Sequence, residues 1–66
     1  MKKPEGFKYD IGDTLKKKRG AMWHGKVVGF YKTDLTEEGY ALESLLEHGS
    51  VQIYPVDALE PMREIN

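Results

Sequence analysis

The chain reads as an all-β domain, a small barrel of five short strands, and three observations carry that reading. The stretch Gly49-Ser50-Val51-Gln52-Ile53-Tyr54-Pro55 is a turn residue, an alternating strand and a terminating proline. The longest predicted strand, Trp23 to Tyr31, contains Gly25 and Gly29, which permit the bend or bulge that a small barrel needs. At 66 residues there is room for one domain with one small core.

Residues 1–10 are polar, with Pro4 and Gly6 and no periodicity, and are expected to form a flexible N-terminal leader with Phe7 and Tyr9 touching the body. The barrel domain is expected over 11–62. Ile11-Gly12-Asp13 is a turn. Thr14 to Lys18 is a short strand, placed at a sheet edge because three consecutive lysines are costly in a central one. Arg19 to Met22 connects it to the long strand, where a bulge is expected to re-phase the alternation. Thr33 to Gly39 is a turn, with room for one helical turn over Thr36 to Gly39. Tyr40 to Ser44 is the third strand, with Tyr40 and Leu42 on one face. Leu45 to Gly49 leads to the fourth, Val51 to Tyr54. Pro55 to Ala58 suits a 3₁₀ turn, Leu59 to Met62 a last strand, and 63–66 a frayed tail. Alternation in the fourth strand sets Val51 and Ile53 on one face, read as core, and Gln52 and Tyr54 on the other.

Composition narrows the function classes. There is no cysteine, so no disulfide and no thiolate metal site. His24 and His48 lie far apart without ligand spacing, so no metal is expected. A chain this short buries only about 60% of its unfolded surface, which leaves oligomerisation as the remaining way to gain stability. No apolar run nears membrane-span length and no signal peptide is expected, so a cytoplasmic protein is expected, without a membrane partner. Residues 1–32 carry nine Lys/Arg against three Asp/Glu, and residues 33–66 one against eight. Complementary halves suit strand pairing or contact between identical subunits, and do not suit a general nucleic-acid binder.

Three features could carry chemistry. Lys16-Lys17-Lys18-Arg19 is either a solvated charged edge or an anion site. Alternation turns Lys17 away from Lys16 and Lys18, so only part of the cluster can act together. Trp23 reads as core or interface before ligand stacking. Gln52 beside Tyr54 sets an amide next to a phenol, which is either an exposed strand surface or half of a site completed by whatever faces it. No Asp or Glu lies in that stretch and no phosphate loop is present, so these residues alone do not announce an enzyme.

Three runs carry a resemblance. They are Leu15-Lys16-Lys17-Lys18-x-Gly20-Ala21-x-Trp23-x-Gly25-x-Val27-Val28-Gly29-Phe30-Tyr31, Thr33-x-Leu35-Thr36-x-Glu38-Gly39-Tyr40-Ala41-x-Glu43-Ser44, and Gly49-Ser50-Val51-Gln52-Ile53-Tyr54-Pro55-Val56-x-Ala58-Leu59-Glu60. Together they closely resemble the type II (plasmid-borne, trimethoprim-resistant) dihydrofolate reductases from about Gly12 to Glu60. The Leu45-Leu46-Glu47-His48 loop departs from the family, which has acidic and small residues and then His-Pro before its Gly-Ser.

The resemblance implies an SH3-like barrel, assembled as a homotetramer around one central pore, that reduces dihydrofolate with NADPH. By position, Gln52 would lie at the pore centre and contact both ligands, and its amide can both donate and accept. Ile53 would offer backbone N–H and C=O groups, Tyr54 would bind cofactor and orient the reacting pair, and Lys17 would attract phosphates and the glutamate tail. Ser50 and Val51 would line the pore, while Trp23, Ser44 and His48 would lie at subunit interfaces. Without a carboxylic acid at the site, the resemblance implies a slow enzyme working on substrate already protonated by solvent. The alternative is a non-catalytic SH3-like binding module using its lysine face for an acidic or nucleic-acid partner.

Overall fold

The computed structural model describes residues 3–62. The strands are β1 Thr14–Lys17, β2 His24–Tyr31, β3 Gly39–Ser44, β4 Val51–Pro55 and β5 Leu59–Pro61, with a 3₁₀ turn, Val56–Ala58, between the last two. All neighbours are antiparallel, in the order β4-β3-β2-β1-β5. β4 and β5 are the two edges of this sheet, which is not closed by strand pairing. No helix among the described residues is long and apolar enough to cross a membrane.

The expected bulge lies at Val28. Val27 pairs with Leu42, Gly29 with Ala41 and Phe30 with Tyr40, so one residue of β2 has no opposite number. The extra residue lets Val27 and Phe30, three apart, both pack toward the core. That core comprises Phe7, Leu15, Val27, Tyr40, Leu42 and Leu59, with Tyr9, Trp23, Phe30, Tyr54 and Val56 packed against it.

Four expectations change. β1 is not an edge strand: it pairs with β2 on one side and β5 on the other. Its lysines are accommodated because Lys16 lies 3.5 Å from Glu60, its cross-strand neighbour on β5, and because the strand ends at Lys17. Val51 and Ile53 are not core, being 51% and 61% exposed. The register decides this. Gln52 pairs with Leu42 and Tyr54 with Tyr40, so Gln52 and Tyr54 share the core-facing side with the buried side chains of Leu42 and Tyr40, and Val51 and Ile53 take the outer side with Glu43 and Ala41. Thr36 to Gly39 forms no helical turn: Glu37 and Glu38 are bends and Gly39 already begins β3, because the loop is organised from Thr33. Its Oγ1 accepts from the backbone N–H of Leu35 and Thr36, and its own N–H donates to the Thr36 carbonyl. Phe7, expected only to touch the body, is buried in the core, edge-on to Phe30 and Tyr40. The tail expected at 63–66 lies outside the described residues, as do the first two residues of the leader.

Phe7 is held by the backbone that follows it. The Tyr40 hydroxyl accepts from the N–H groups of Lys8 and Tyr9, each at 3.0 Å, and donates to the Glu38 carboxylate. The same carboxylate accepts from Lys8 N–H at 2.8 Å. Burial first, and then the hydrogen bond to Glu38, push the Tyr40 phenol up to about 12, against a smaller opposing effect of the two backbone N–H donors.

Candidate functional site

β4 is an edge strand, and the phase of its ladder determines what the edge offers. Ser44 N–H donates to the Ser50 carbonyl at one end, and Val56 N–H to the Glu38 carbonyl at the other. Antiparallel ladders alternate, so Gln52 and Tyr54 also spend their backbone groups on β3. Val51, Ile53 and Pro55 then turn their backbone groups toward the open edge. Pro55, with no N–H to donate, is tolerated there. Among the described residues, Ile53 is left presenting a free N–H and C=O beside the Gln52 side chain.

The side chains of Gln52 and Tyr54 are coupled, the Tyr54 hydroxyl donating to the Gln52 amide oxygen. This orients the amide and leaves its NH₂ without a protein partner among the described residues. Tyr54 is half-buried and flanked on two sides. The Trp23 indole packs against it with ring centroids 5.7 Å apart, and Lys17 Nζ lies 5.4 Å from its ring centroid. The alternation that puts Lys16 outside, beside Glu60, puts Lys17 on the inner side with Leu15. Trp23 can lie close to the sheet because Gly25 follows it. A Cβ there would come within 3.1 Å of the indole and 2.5 Å of the Glu43 carbonyl.

A cleft of about 490 Å³ continues from Lys17, lined by Lys17, Lys18, Arg19, Pro55, Asp57 and Ala58. Its walls are tied together by the Lys18 N–H, which donates to the Ala58 carbonyl at 3.0 Å. The sequence grouped Arg19 with the lysines only as a charge run. The fold brings it to the end of β4.

The remaining predicted residues lie at the other end of β4. Ser44 Oγ accepts from Leu46 and Glu47 N–H, both at 3.1 Å, and so shapes the loop before the strand. Glu43 Oε2 accepts from Gly49 N–H at 2.7 Å and lies 3.1 Å from Nδ1 of the exposed His48. Gly49 has φ +89°, the turn that aims the chain into β4. Ser50 is half-buried, its N–H donating to the Glu47 carbonyl. The structure thus brings Lys17, Trp23, Gln52, Ile53 and Tyr54 together, and sets Ser44, at the end of β3, and His48, in the β3–β4 loop, apart from them. Gln52 is exposed, as one reading of it had it; what sequence reasoning missed is that Gln52 and Tyr54 take the core-facing side of β4, and the role of Glu43 as the clamp of that loop. Glu43 gave no signal beyond its place near the end of a strand and in the second run of the resemblance.

Comparison with known proteins gives concordant results. The family model described as R67 dihydrofolate reductase matches residues 2–63. Two curated proteins from Escherichia coli, each named dihydrofolate reductase type 2, are similar over 57 residues, at 56% and 58% identity. In both comparisons the matched segment covers 86% of this chain and 73% of the relative.

Proposed function

The chain belongs to the R67 dihydrofolate reductase family, and from that membership we propose that it draws its reducing power from NADPH and works in a pore shared by four copies of an SH3-like barrel. The reaction is the reduction of dihydrofolate. The sheet order β4-β3-β2-β1-β5, with a 3₁₀ turn joining the two edge strands, supports the barrel. Size and shape support a homotetramer. The Gln52–Tyr54 face is an open edge rather than an enclosed pocket, and a site for two ring systems needs roughly 300–1,000 Å³. Copies of β4 meeting across a symmetry axis supply the missing walls, with Ser50, Val51 and Ile53 lining the pore. Trp23, Ser44 and the Leu45 to His48 loop are the proposed contacts between subunits.

The single observation that carries the site is the Gln52–Tyr54 hydrogen bond at an edge where the Ile53 backbone is free. Reduction adds a hydride to carbon and a proton to nitrogen of the pterin C=N bond, and NADPH when bound supplies the hydride. The residues suit such a cofactor. The Ile53 N–H and C=O can grip a carboxamide, the Gln52 NH₂ can donate to either ring, and Lys17 supplies a cation for phosphates. Tyr54 fixes the amide of Gln52 and, with Trp23, the wall against which the rings are oriented. Neither Gln52, Tyr54, Trp23 nor Lys17 can serve as a carboxylic acid. The site therefore works by proximity and orientation, on substrate protonated from solvent.

The test is NADPH oxidation with dihydrofolate at trimethoprim concentrations that stop the chromosomal enzyme. Turnover should persist under the drug and slow as pH rises above neutral. Sedimentation velocity at pH 8 should give a tetramer. A monomer at micromolar concentration would overturn the pore, and a verified tetramer that does not oxidise NADPH would overturn the site.

A further inference from the structure

Glu38 is bonded to two separate segments of the chain. Its carboxylate accepts from the Lys8 N–H at 2.8 Å and from the Tyr40 hydroxyl, and its carbonyl accepts from the Val56 N–H at 2.9 Å. The first tie reaches the segment that carries Phe7 into the core. The second closes the β3–β4 ladder just past Pro55, which has no N–H of its own to give. Tyr40 repeats the pattern: its hydroxyl accepts from the Lys8 and Tyr9 N–H groups, and it is the cross-strand partner of Tyr54. Residues 7–9 and the far half of β4 therefore hold on to the same two residues. Glu38 has little else to fix it. It is half-buried just before β3, and Asp34, Leu35 and Glu37 in the loop leading to it are exposed. The hydrogen bonds of its carboxylate, charge-assisted and directional, do what packing does elsewhere.

We propose that Glu38 is a positioning residue for the reaction: seating of residues 7–9 on its carboxylate fixes the carbonyl that holds Val56, and with it the end of β4 that carries Tyr54. The inference rests on the reading of Gln52 and Tyr54 as the reacting site. Tyr54 lies two residues before Val56, donates to the Gln52 amide oxygen and packs against Trp23. In the sheet β4 is paired on one side only, so its far half is placed by what Glu38 and Tyr40 hold. When residues 7–9 lift, the Glu38 carboxylate loses the Lys8 N–H and the Tyr40 hydroxyl loses both its backbone donors. The start of β3 then frays, the Val56 bond opens, and Tyr54 is no longer held in one place. A site that works by proximity and orientation feels this directly, since a displacement of about 1 Å can cost roughly a hundredfold in rate. Ligand binding is spared by comparison, because the Ile53 backbone and Lys17 lie off this path. The loss therefore falls on kcat more than on KM.

The experiment uses the full chain as it assembles and compares the parent with Glu38→Ala and Glu38→Gln. Glu38→Ala should lower kcat about tenfold, with KM for NADPH and for dihydrofolate within about twofold of the parent. Glu38→Gln keeps an oxygen that accepts from the Lys8 N–H and the Tyr40 hydroxyl, and should restore kcat to within about threefold. Amide hydrogen exchange supplies a readout without turnover. In Glu38→Ala the Val56 amide should exchange about tenfold faster, while the Ser44 amide, bonded to the Ser50 carbonyl at the opposite end of the ladder, keeps its rate. Equal acceleration of both amides, or a lowered urea midpoint with kcat unchanged, makes Glu38 a structural staple and overturns the proposal. So does a Glu38→Gln no more active than Glu38→Ala. Should Glu38→Ala fail to fold, exchange in the parent decides. Lys8, Tyr9 and Val56 opening with one free energy and one denaturant slope supports the coupling, and Val56 opening independently of the other two overturns it. A parent that does not turn over dihydrofolate overturns the reading of the site, whereas an active parent with independent Val56 opening overturns the positioning role alone.

Discussion

Tyr40 and Tyr54 are cross-strand partners on the same face of the sheet, yet they occupy opposite kinds of surroundings. Tyr40 is fully buried, its hydroxyl accepts two backbone N–H groups and donates to Glu38, and its ring meets Phe7, Tyr9 and Phe30. Tyr54 is half-buried, and among the described residues its hydroxyl is engaged only by the side chain of Gln52. The difference originates in the strands. β3 is covered by β2 and β4 and by the segment around Phe7, while β4 has a neighbour on one side only. The same residue type closes a core in one place and in the other presents an oriented, unsaturated surface. What distinguishes a structural tyrosine from one available to a ligand is whether its neighbourhood is already satisfied.

Truncation should separate the two most strongly. Tyr40→Ala removes a buried aromatic and leaves the Lys8 and Tyr9 N–H groups without their acceptor, a loss of about 3–5 kcal/mol. A chain of 66 residues has little stability to spare, so this variant should lose its cooperative urea transition at 25 °C. Tyr54→Ala should keep a cooperative transition and lose NADPH oxidation by about a hundredfold, because the amide of Gln52 is no longer oriented. If Tyr40→Ala folds and Tyr54→Ala does not, the division of labour is the reverse of the one drawn from their surroundings.

Removing only the hydroxyls sharpens the contrast. Tyr40→Phe should cost about 1–3 kcal/mol in urea denaturation, since two N–H donors and the Glu38 carboxylate lose a partner at a buried position. Tyr54→Phe should change stability by less than about 0.5 kcal/mol, because the bond it removes is exposed and Gln52 can turn to water. The same variant should lower kcat about tenfold through the freed Gln52 amide. Equal destabilisation by the two substitutions would mean that burial is not what separates the sites.

Much of this contrast was not legible from the sequence, for identifiable reasons. The strands, the bulge near Gly29 and the Tyr40–Leu42 face follow from period and glycine placement, since both are local properties. The face of β4 does not. Val-x-Ile against Gln-x-Tyr suggests that the aliphatic pair is buried, but on an edge strand the register with Leu42 and Tyr40 decides the matter, and register is a long-range property. The neighbours of β1 were hidden likewise, because its second partner is three residues long and lies more than forty positions away. Phe7 lies in a polar stretch without periodicity, and only the shape of the core shows that a ring is needed there. The residues of the proposed site were named from resemblance, whereas their hydrogen bonds and the cleft at Arg19 needed the fold.

Alkaline titration tests the buried member of the pair by itself. The Tyr40 phenol ionises near 12 in the folded chain, against about 10 for an ordinary tyrosine. The unfolded chain therefore gives up this proton first. The resulting stabilisation, about 2–3 kcal/mol, is complete below about pH 10 and is lost as pH rises toward about 12. Urea midpoints should fall over that range in the parent, and fall less in Tyr40→Phe. Identical slopes for the two proteins would remove Tyr40 as the source.

Lys17 provides the smallest and most conditional of these effects, and it tests the open member. Its ammonium lies 5.4 Å from the centroid of Tyr54, a cation–π contact worth about 0.5–2 kcal/mol according to how far it is desolvated. Most of its proposed value lies in attraction for anionic ligands across solvent, which is screened beyond about 8–10 Å at physiological salt. Lys17→Met keeps the stem that packs near Tyr54 and removes only the charge. At low salt KM for NADPH and for dihydrofolate should rise several-fold in the variant, with kcat changed less, because the lost interaction is made equally in ground and transition states. At high salt parent and variant should converge, so that the salt dependence of KM is flatter in Lys17→Met. Stability should fall by no more than the cation–π contribution. A variant that binds NADPH as tightly as the parent at low salt would make Lys17 a solvated strand end. The charge around Tyr54 would then have to come from Lys18 and Arg19 alone.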